Sequence, residues 1–249
     1  MTADPTRMQA LKQLWKQAFG DPDPVVDAFF DTAYAPARHM AIWENGVPVS
    51  ALYWFDCTCQ GKSFAYLYAV ATNTAYRGKG YASTLLEQAH QHLSQKGYAG
   101  TILVPGEPKL FGFYAKFGYR IFSTVQEFTC APSEEAAVLR SLNRTEYAQE
   151  RKKRLPTGGV FQEAESLAFL QTQADFYCGN DFVLAATRQN DTLTVHELLG
   201  NAQAAPSIVR ALNCSCGQFR VPGVDRDFAM YLPLQEDCPV PGWFGLALD

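Results

Sequence analysis

Arg77-Gly78-Lys79-Gly80 sets two glycines and two cations between an apolar run that ends near Thr72 and an amphipathic run that begins at Tyr81. A strand, a glycine loop and a helix in that order make an anion site. The first turn of a helix leaves backbone N–H groups unpaired, and the helix dipole adds partial positive charge there. Glycine admits a phosphate close to the backbone, and Arg77 and Lys79 supply neutralising charge. Three ligand classes use such a loop. A P-loop needs Ser or Thr after its lysine, and here Gly80 follows Lys79. A dinucleotide fingerprint needs Gly-x-Gly-x-x-Gly directly after the strand, whereas Ser83 holds the third position and Asn73 to Tyr76 intervene. The third class, a pyrophosphate with a long arm lying along the preceding strand, agrees with the layout.

Other reactive side chains give weaker patterns. His90 and His92 stand two apart on a helix, do not share a face, and read as solvent-facing. His39 and His196 are isolated and read as structural. Cys57-x-Cys59 and Cys214-x-Cys216 resemble zinc half-sites, but zinc pairs usually have two to four intervening residues. On a strand, positions two apart share a face, so buried cysteine explains them. Arg151-Lys152-Lys153-Arg154 reads as a solvated helix face.

The elements that hold the loop follow from periodicity. Residues 6–19 carry Leu11, Leu14, Trp15 and Phe19 at helical spacing with Gly20 as the stop, and a second helix after Pro24 carries Val25, Val26, Phe29 and Phe30. Residues 39–72 read as three strands with tight turns at Asn45-Gly46 and Gln60-Gly61. Residues 81–96 form a helix whose apolar face is Ala82, Leu85, Leu86, Ala89 and Leu93, closed by Gly97. "GTILVPG" is a short buried strand, "PKLFGFYAKFG" a short helix and "YRIFSTVQEFTC" a strand.

After Cys130 the composition turns polar, giving a boundary and a helix. Beyond it the pattern predicts a helix over 165–177, strands over 181–189 and 192–200, a helix over 205–213, and strands over 218–223 and 226–234. This order echoes the first half. The second strand-to-helix loop, Gly200 to Ala205, has no cation and no closely spaced glycines.

The chain has 249 residues, enough for two domains; 47% are hydrophobic and 18% charged, so a packed core is expected. A formal net charge of −4 argues against nucleic acid as a partner. No apolar stretch approaches the roughly 20 residues of a membrane span. The first 15 residues have no signal-peptide core, and seven cysteines, an odd count in a long chain, suit a reducing cytoplasm.

Arg77-x-x-Gly80-x-Ala82 resembles the Gln/Arg-x-x-Gly-x-Gly/Ala signature of the GNAT acyltransferase superfamily. "AVATNTAYRGKGYASTLL" is similar to that family's fourth strand, pyrophosphate loop and helix, and "GFYAKFGY" to its Phe-Tyr-x-Lys-x-Gly-Phe/Tyr segment. The resemblance covers residues 6–129, and the second half is similar to the degenerate halves of tandem members. It implies an α+β fold: a central mixed, mostly antiparallel sheet flanked by helices in residues 1–130, with a smaller GNAT-like domain in residues 131–249. It implies acetyl-CoA as donor and no metal. The backbone of Gly78, Lys79, Gly80, Tyr81, Ala82 and Ser83 would contact the pyrophosphate, beside the charge of Arg77. The pantetheine arm would pair with Val70, Ala71 and Thr72. The sequence departs from the family at Thr74, where proline is common, and at Glu107, near the place where many members carry asparagine.

Acyl transfer to an amine needs a base, because an amine with a pKa of about 10 starts protonated. It needs an oxyanion donor, which a backbone N–H near Ala71 supplies. It gains from an acid at the departing thiolate. The motif assigns the acid to Tyr114. The fourth strand offers Tyr66 and Tyr68 but no carboxylate. Glu107, just after the fifth strand, is the expected base, acting through water; it is also placed to cap the helix at Pro108, and the carboxylate of Asp249 is a rival. No cysteine lies in either motif, so transfer is direct. The expected acceptor is a small-molecule or peptide amine. The alternative from another class is a catalytically silent sensor of acyl-CoA, and an NAD-dependent enzyme is a more distant reading.

Overall fold

The computed structural model describes residues 4–162 and 164–247, and they form two compact units. One takes in the chain up to Cys57, Lys62–Leu103 and Leu232–Cys238. The other takes in Thr58–Gly61, Val104–Tyr231 and the chain from Pro239 onward. Among the described residues, no helix is long and apolar enough to cross a membrane.

The first unit begins with α1 (Pro5–Phe19) and α2 (Asp23–Thr32). Asp4 caps α1 by accepting from the Thr6 N–H at 2.9 Å, and Pro5 fits the first turn, where no N–H is required. The buried stripe of α1 is Leu11, Leu14 and Trp15, and that of α2 is Val26, Phe29 and Phe30. Strands β1 (His39–Glu44), β2 (Val47–Cys59, of which the stretch to Cys57 belongs here) and β3 (Lys62–Thr72) follow. Both turns between them have positive φ at each central residue, Asn45-Gly46 and Gln60-Gly61, as two-residue hairpins require. Trp15 locks the helices to the sheet, with ring centroids 4.7 Å from Phe29, 5.4 Å from Tyr53 and 5.5 Å from Tyr68. Burying each such ring stabilises the unit by about 1.5–3 kcal/mol.

Helix α3 (Tyr81–Gln95) buries Leu85, Leu86, Ala89 and Leu93, as its spacing predicts. It leads into β4 (Gly100–Leu103), which runs parallel to β3. The strand order in this unit is β1-β2-β3-β4. Residues Leu232–Cys238 lie against the other side of β4: the Leu234 N–H donates to the Ala99 carbonyl at 2.8 Å, and Gln235 Nε2 to the Ser94 carbonyl at 2.9 Å. Lys62 pairs with Asp237.

The second unit carries α4 (Pro108–Ala115), β5 (Arg120–Cys130), β6 (Arg140–Leu142), α5 (Arg144–Arg154), β7 (Phe161–Gln162), α6 (Ala164–Leu170), β8 (Asp175–Cys178), β9 (Phe182–Gln189), β10 (Thr192–Gly200), α7 (Ala205–Ala211), β11 (Cys216–Pro222) and β12 (Arg226–Pro233, of which the stretch to Tyr231 belongs here). Its strand order is β12-β5-β11-β10-β9-β8-β6. The β9–β10 hairpin, α7, and a β11 parallel to β10 repeat the plan of the β2–β3 hairpin, α3 and β4. The core under α7 joins Ile208 and Val209 to Leu184, Leu193, Val195, Leu198 and Phe219.

Three expectations need correction here. The helix expected over 165–177 stops at Leu170, where Thr172 turns its hydroxyl back to the Phe169 carbonyl at 2.7 Å. Residues 175–178 then alternate exposed and buried and pair with β9 as a strand. Strand β6 was not expected; three residues with one buried side chain give too short a pattern to read. The run at 151–154 is not wholly solvated. Arg151 follows Tyr147 by one helical turn on the buried face of α5 and is itself fully buried. Its Nε and Nη2 donate to Glu197 at 2.6 and 3.0 Å, and Nη1 donates to the Val160 carbonyl at 3.1 Å. Its partner lies 46 residues further on, beyond any local pattern.

Candidate functional site

Strand β3 pairs with β4 through Phe64, Ala65 and Tyr66, and then runs on to Thr72. Ala69 interrupts it at φ 48°, a left-handed conformation that costs an alanine about 1–2 kcal/mol. The kink lies just before Val70, Ala71 and Thr72. This last stretch is held from β2: the Ser50 hydroxyl donates to the Ala71 carbonyl at 2.8 Å, and the Asn73 N–H donates to the Val49 carbonyl at 2.9 Å.

Asn73 opens the loop by accepting from the Ala75 N–H at 3.1 Å, which folds Thr74–Tyr76 into a single 3-10 turn. Gly78 and Gly80 follow at φ 77° and 85°. A Cβ built on either would meet nothing within 4 Å, so backbone conformation rather than crowding demands glycine, and the space above the loop is open. Gly80 caps α3 without a side-chain partner, and the first intrahelical bond runs from the Thr84 N–H to the Gly80 carbonyl at 3.0 Å. The N–H groups of Tyr81, Ala82 and Ser83 therefore belong to the unpaired first turn. Residues 77–80 are exposed.

The charges around this end are placed by short contacts. Arg77 Nε donates to the Thr72 carbonyl at 3.3 Å, which ties the loop to the end of β3. Lys79 Nζ stands 4.9 Å from the centre of the Tyr76 ring. The Tyr81 hydroxyl donates to Glu44, and that hydrogen bond is the main cause holding the Tyr81 pKa above the ordinary phenol value. The residues expected to meet the donor, Val70–Thr72 and Arg77–Ser83, lie on one strand–loop–helix segment of the first unit, tied together by the Arg77–Thr72 hydrogen bond.

Glu107 and Tyr114 belong to the second unit, at the two ends of α4. They are separated by about 10 Å along the helix axis. Glu107 occupies the N-cap position but makes no capping bond; its carboxylate pairs with Lys109 at 2.5 Å, with both side chains largely in solvent. Tyr114 is 7% exposed, with rings of Phe113 and Tyr119 at 5.2 and 5.7 Å. Burial pushes its pKa up to about 12. Asp249 lies outside the described residues.

The histidines differ from expectation. His90 and His92 are half-buried, each beside a residue of the buried stripe of α3 and so at its margin. Burial lowers the His90 pKa to about 4, and the His92 ring lies 6.1 Å from Trp54. In the second unit a groove of about 300 Å³ crosses β5, β11 and β10. Its charged side chains already pair with one another. Glu127 accepts from Arg220 Nε at 3.0 Å and from Arg226 Nη2 at 2.7 Å, while His196 Nε2 lies 2.8 Å from the Thr187 hydroxyl.

Sequence patterns missed Ser50 and Ala69. Ser50 gave a faint signal, a hydroxyl inside an apolar run; the backbone of Ala69 gave none.

Comparison with known proteins bears on the fold and on the first half of the chain. Residues 2–122 match the family model described as an acetyltransferase (GNAT) domain. No curated protein matches the chain. A GCN5-related N-acetyltransferase from Anabaena variabilis superposes with a TM-score of 0.72 at 14% identity, over 94% of this chain and 72% of that one. One from Kribbella flavida gives 0.66 at 14%, over 91% and 68%. A tandem GNAT protein from the clavulanic acid biosynthesis pathway gives 0.56 at 9%, over 94% and 97%. The fold is therefore the expected mixed α+β arrangement of that group.

Proposed function

We propose, from the premise that the chain belongs through residues 2–122 to the GNAT acetyltransferase family, that it moves an acetyl group from acetyl-CoA directly to a primary amine. One observation carries this reading. Gly78 and Gly80 hold an exposed, cationic loop in left-handed conformations beneath open space, at the uncapped start of α3. The pyrophosphate would sit on the N–H groups from Gly78 to Ser83, neutralised by Arg77 and Lys79. The pantetheine arm would lie along Val70, Ala71 and Thr72, the part of β3 that runs beyond its pairing with β4. Residues 1–130 would carry the chemistry, and residues 131–249 would form a second GNAT-like half.

The acceptor, a small-molecule or peptide amine, must first lose a proton. Glu107 would take it through water; its exposed pair with Lys109 is the kind that holds a carboxylate only weakly. The free nitrogen attacks the thioester carbon, a backbone N–H near Ala71 stabilises the oxyanion, the cationic nitrogen so formed gives its surplus proton to water, and the C–S bond breaks to release the thiolate. With a pKa near 12, Tyr114 stays protonated throughout the working range. Complete transfer of its proton to a thiolate of pKa about 8.5 would run uphill by about 5 kcal/mol. Its contribution is thus a hydrogen bond to sulfur as charge develops there. The seven free thiols suit a cytoplasmic setting.

Calorimetric titration with acetyl-CoA tests the reading, with NADH and Gly80→Glu as controls. Micromolar binding of acetyl-CoA alone, lost in the variant, is the expected result; no binding by the wild type overturns it. An amine screen then separates enzyme from sensor. In the enzyme, Tyr114→Phe lowers kcat about 10²-fold with donor affinity kept.

A further inference from the structure

Ser50 is one of the few polar side chains that are fully buried, set inside β2 among apolar neighbours. An unpaired hydroxyl there would be destabilising, because a buried donor without a partner loses its hydration for nothing. Both of its partners lie at the end of β3: the Ala71 carbonyl at 2.8 Å and the Thr72 hydroxyl at 3.0 Å. A carbonyl can only accept. Both contacts are satisfied together only when Ser50 donates to Ala71 and accepts from Thr72. The single hydroxyl proton of Thr72 is then directed inward, and Oγ1 presents lone pairs alone to the half-buried surface around it.

We infer that Ser50 is a positioning residue that turns Thr72 into an obligate hydrogen-bond acceptor, which selects an amide N–H on the arm of the bound donor. The inference rests on the acetyl-CoA reading above, because that reading lays the arm along Val70–Thr72. The polarity of the pair is what matters. A Thr72 hydroxyl free to rotate would serve a carbonyl as well as an N–H, and would not fix the register of an arm that alternates the two. The neighbouring Thr72 carbonyl accepts from Arg77 Nε at 3.3 Å, so one residue joins the arm surface to the phosphate loop.

The test compares two ligands on the purified full-length protein by calorimetry: CoA, and 3′-phospho-ADP, which is its nucleotide without the arm. Thr72→Val removes the acceptor and keeps the shape. It should weaken CoA about tenfold, the loss of one good hydrogen bond, and leave 3′-phospho-ADP unchanged. Thr72→Ser should retain wild-type affinity for both, and Ser50→Ala, which leaves the Thr72 acceptor in place but free to rotate, should weaken CoA less than Thr72→Val does. Thermal melts of each variant check folding, and Thr72→Val carries the test if Ser50→Ala fails to fold. Equal loss of both ligands in Thr72→Val, or no loss of CoA, overturns the inference while leaving the donor reading intact. Failure of the wild type to bind CoA ends both.

Discussion

Strand β3 feeds the loop Asn73–Gly80 into α3, and β10 feeds Asn201–Ala204 into α7. Each strand follows a two-residue hairpin turn and pairs in parallel with the strand after its helix. Each loop starts with an asparagine that accepts from the N–H two residues on. From there they part. In the first, the places a Cβ would occupy on Gly78 and Gly80 are empty. In the second, a Cβ on Gly200 would lie 2.0 Å from the Asp181 carbonyl oxygen. The loop before α3 is exposed and carries two cations. The start of α7 contains Pro206 and is lined by the backbone of Ser133 and Ala137, which donate to the Pro206 and Ser207 carbonyls. A glycine after a strand is thus ambiguous on its own. What occupies the place of its missing side chain separates a glycine kept for a ligand from one kept for the chain.

The same contrast holds for the cations and gives the largest expected effect. Arg151→Ala strands Glu197 in the core and should lower unfolding stability by about 3–5 kcal/mol in urea titration. Arg77→Ala, on the exposed loop, should change stability by less than about 0.5 kcal/mol. Equal losses would remove the distinction between a structural and a ligand-facing cation. Next come the glycines. Gly200→Ala meets backbone at positive φ and should cost about 3 kcal/mol, whereas Gly80→Ala carries only conformational strain of about 1 kcal/mol. A Gly200→Ala melt matching wild type would mean that Asp181 moves aside freely.

The smallest effect concerns pH and separates α3 from α7, which carries no histidine. His90 has an unfolded value near 6.5 and a folded value near 4, depressed by burial. Its neutral form is the native one, so the associated stability is whole above pH 6.5 and is lost as pH falls towards 4. Allowing for partial exposure, the loss between pH 7 and pH 5 is about 1 kcal/mol. His90→Leu should flatten that part of the urea-midpoint profile; an unchanged slope would assign it to other groups.

Much of the first unit was legible because its signals are local. The stripe of α3, the stop at Gly20 and the Asn45-Gly46 and Gln60-Gly61 turns each depend on residues within one or two turns of chain. The glycine loop was legible for the same reason. What escaped depends on distant partners. Arg151 reads as solvated until Glu197 is brought beneath it, and Ser50 becomes meaningful only when Thr72 is laid against it. Phe176 and Tyr177 continue an apolar spacing that suits a helix, and pairing with β9 decides otherwise. His90 and His92 were misread because a two-residue offset reports relative direction, not how wide a face the neighbours cover.

Leu232–Cys238 completes the far side of β4 although about 130 residues separate it from that strand. During synthesis, β4 leaves the ribosome long before its outer neighbour exists. At about 5–20 residues per second the delay is roughly 6–26 s. For that time the nascent unit presents an uncovered strand edge, the feature most prone to pairing with another chain. The segment that would bind the donor thus finishes its own architecture only after residues 104–231 have been made. A fragment ending at residue 130 would keep that edge open indefinitely.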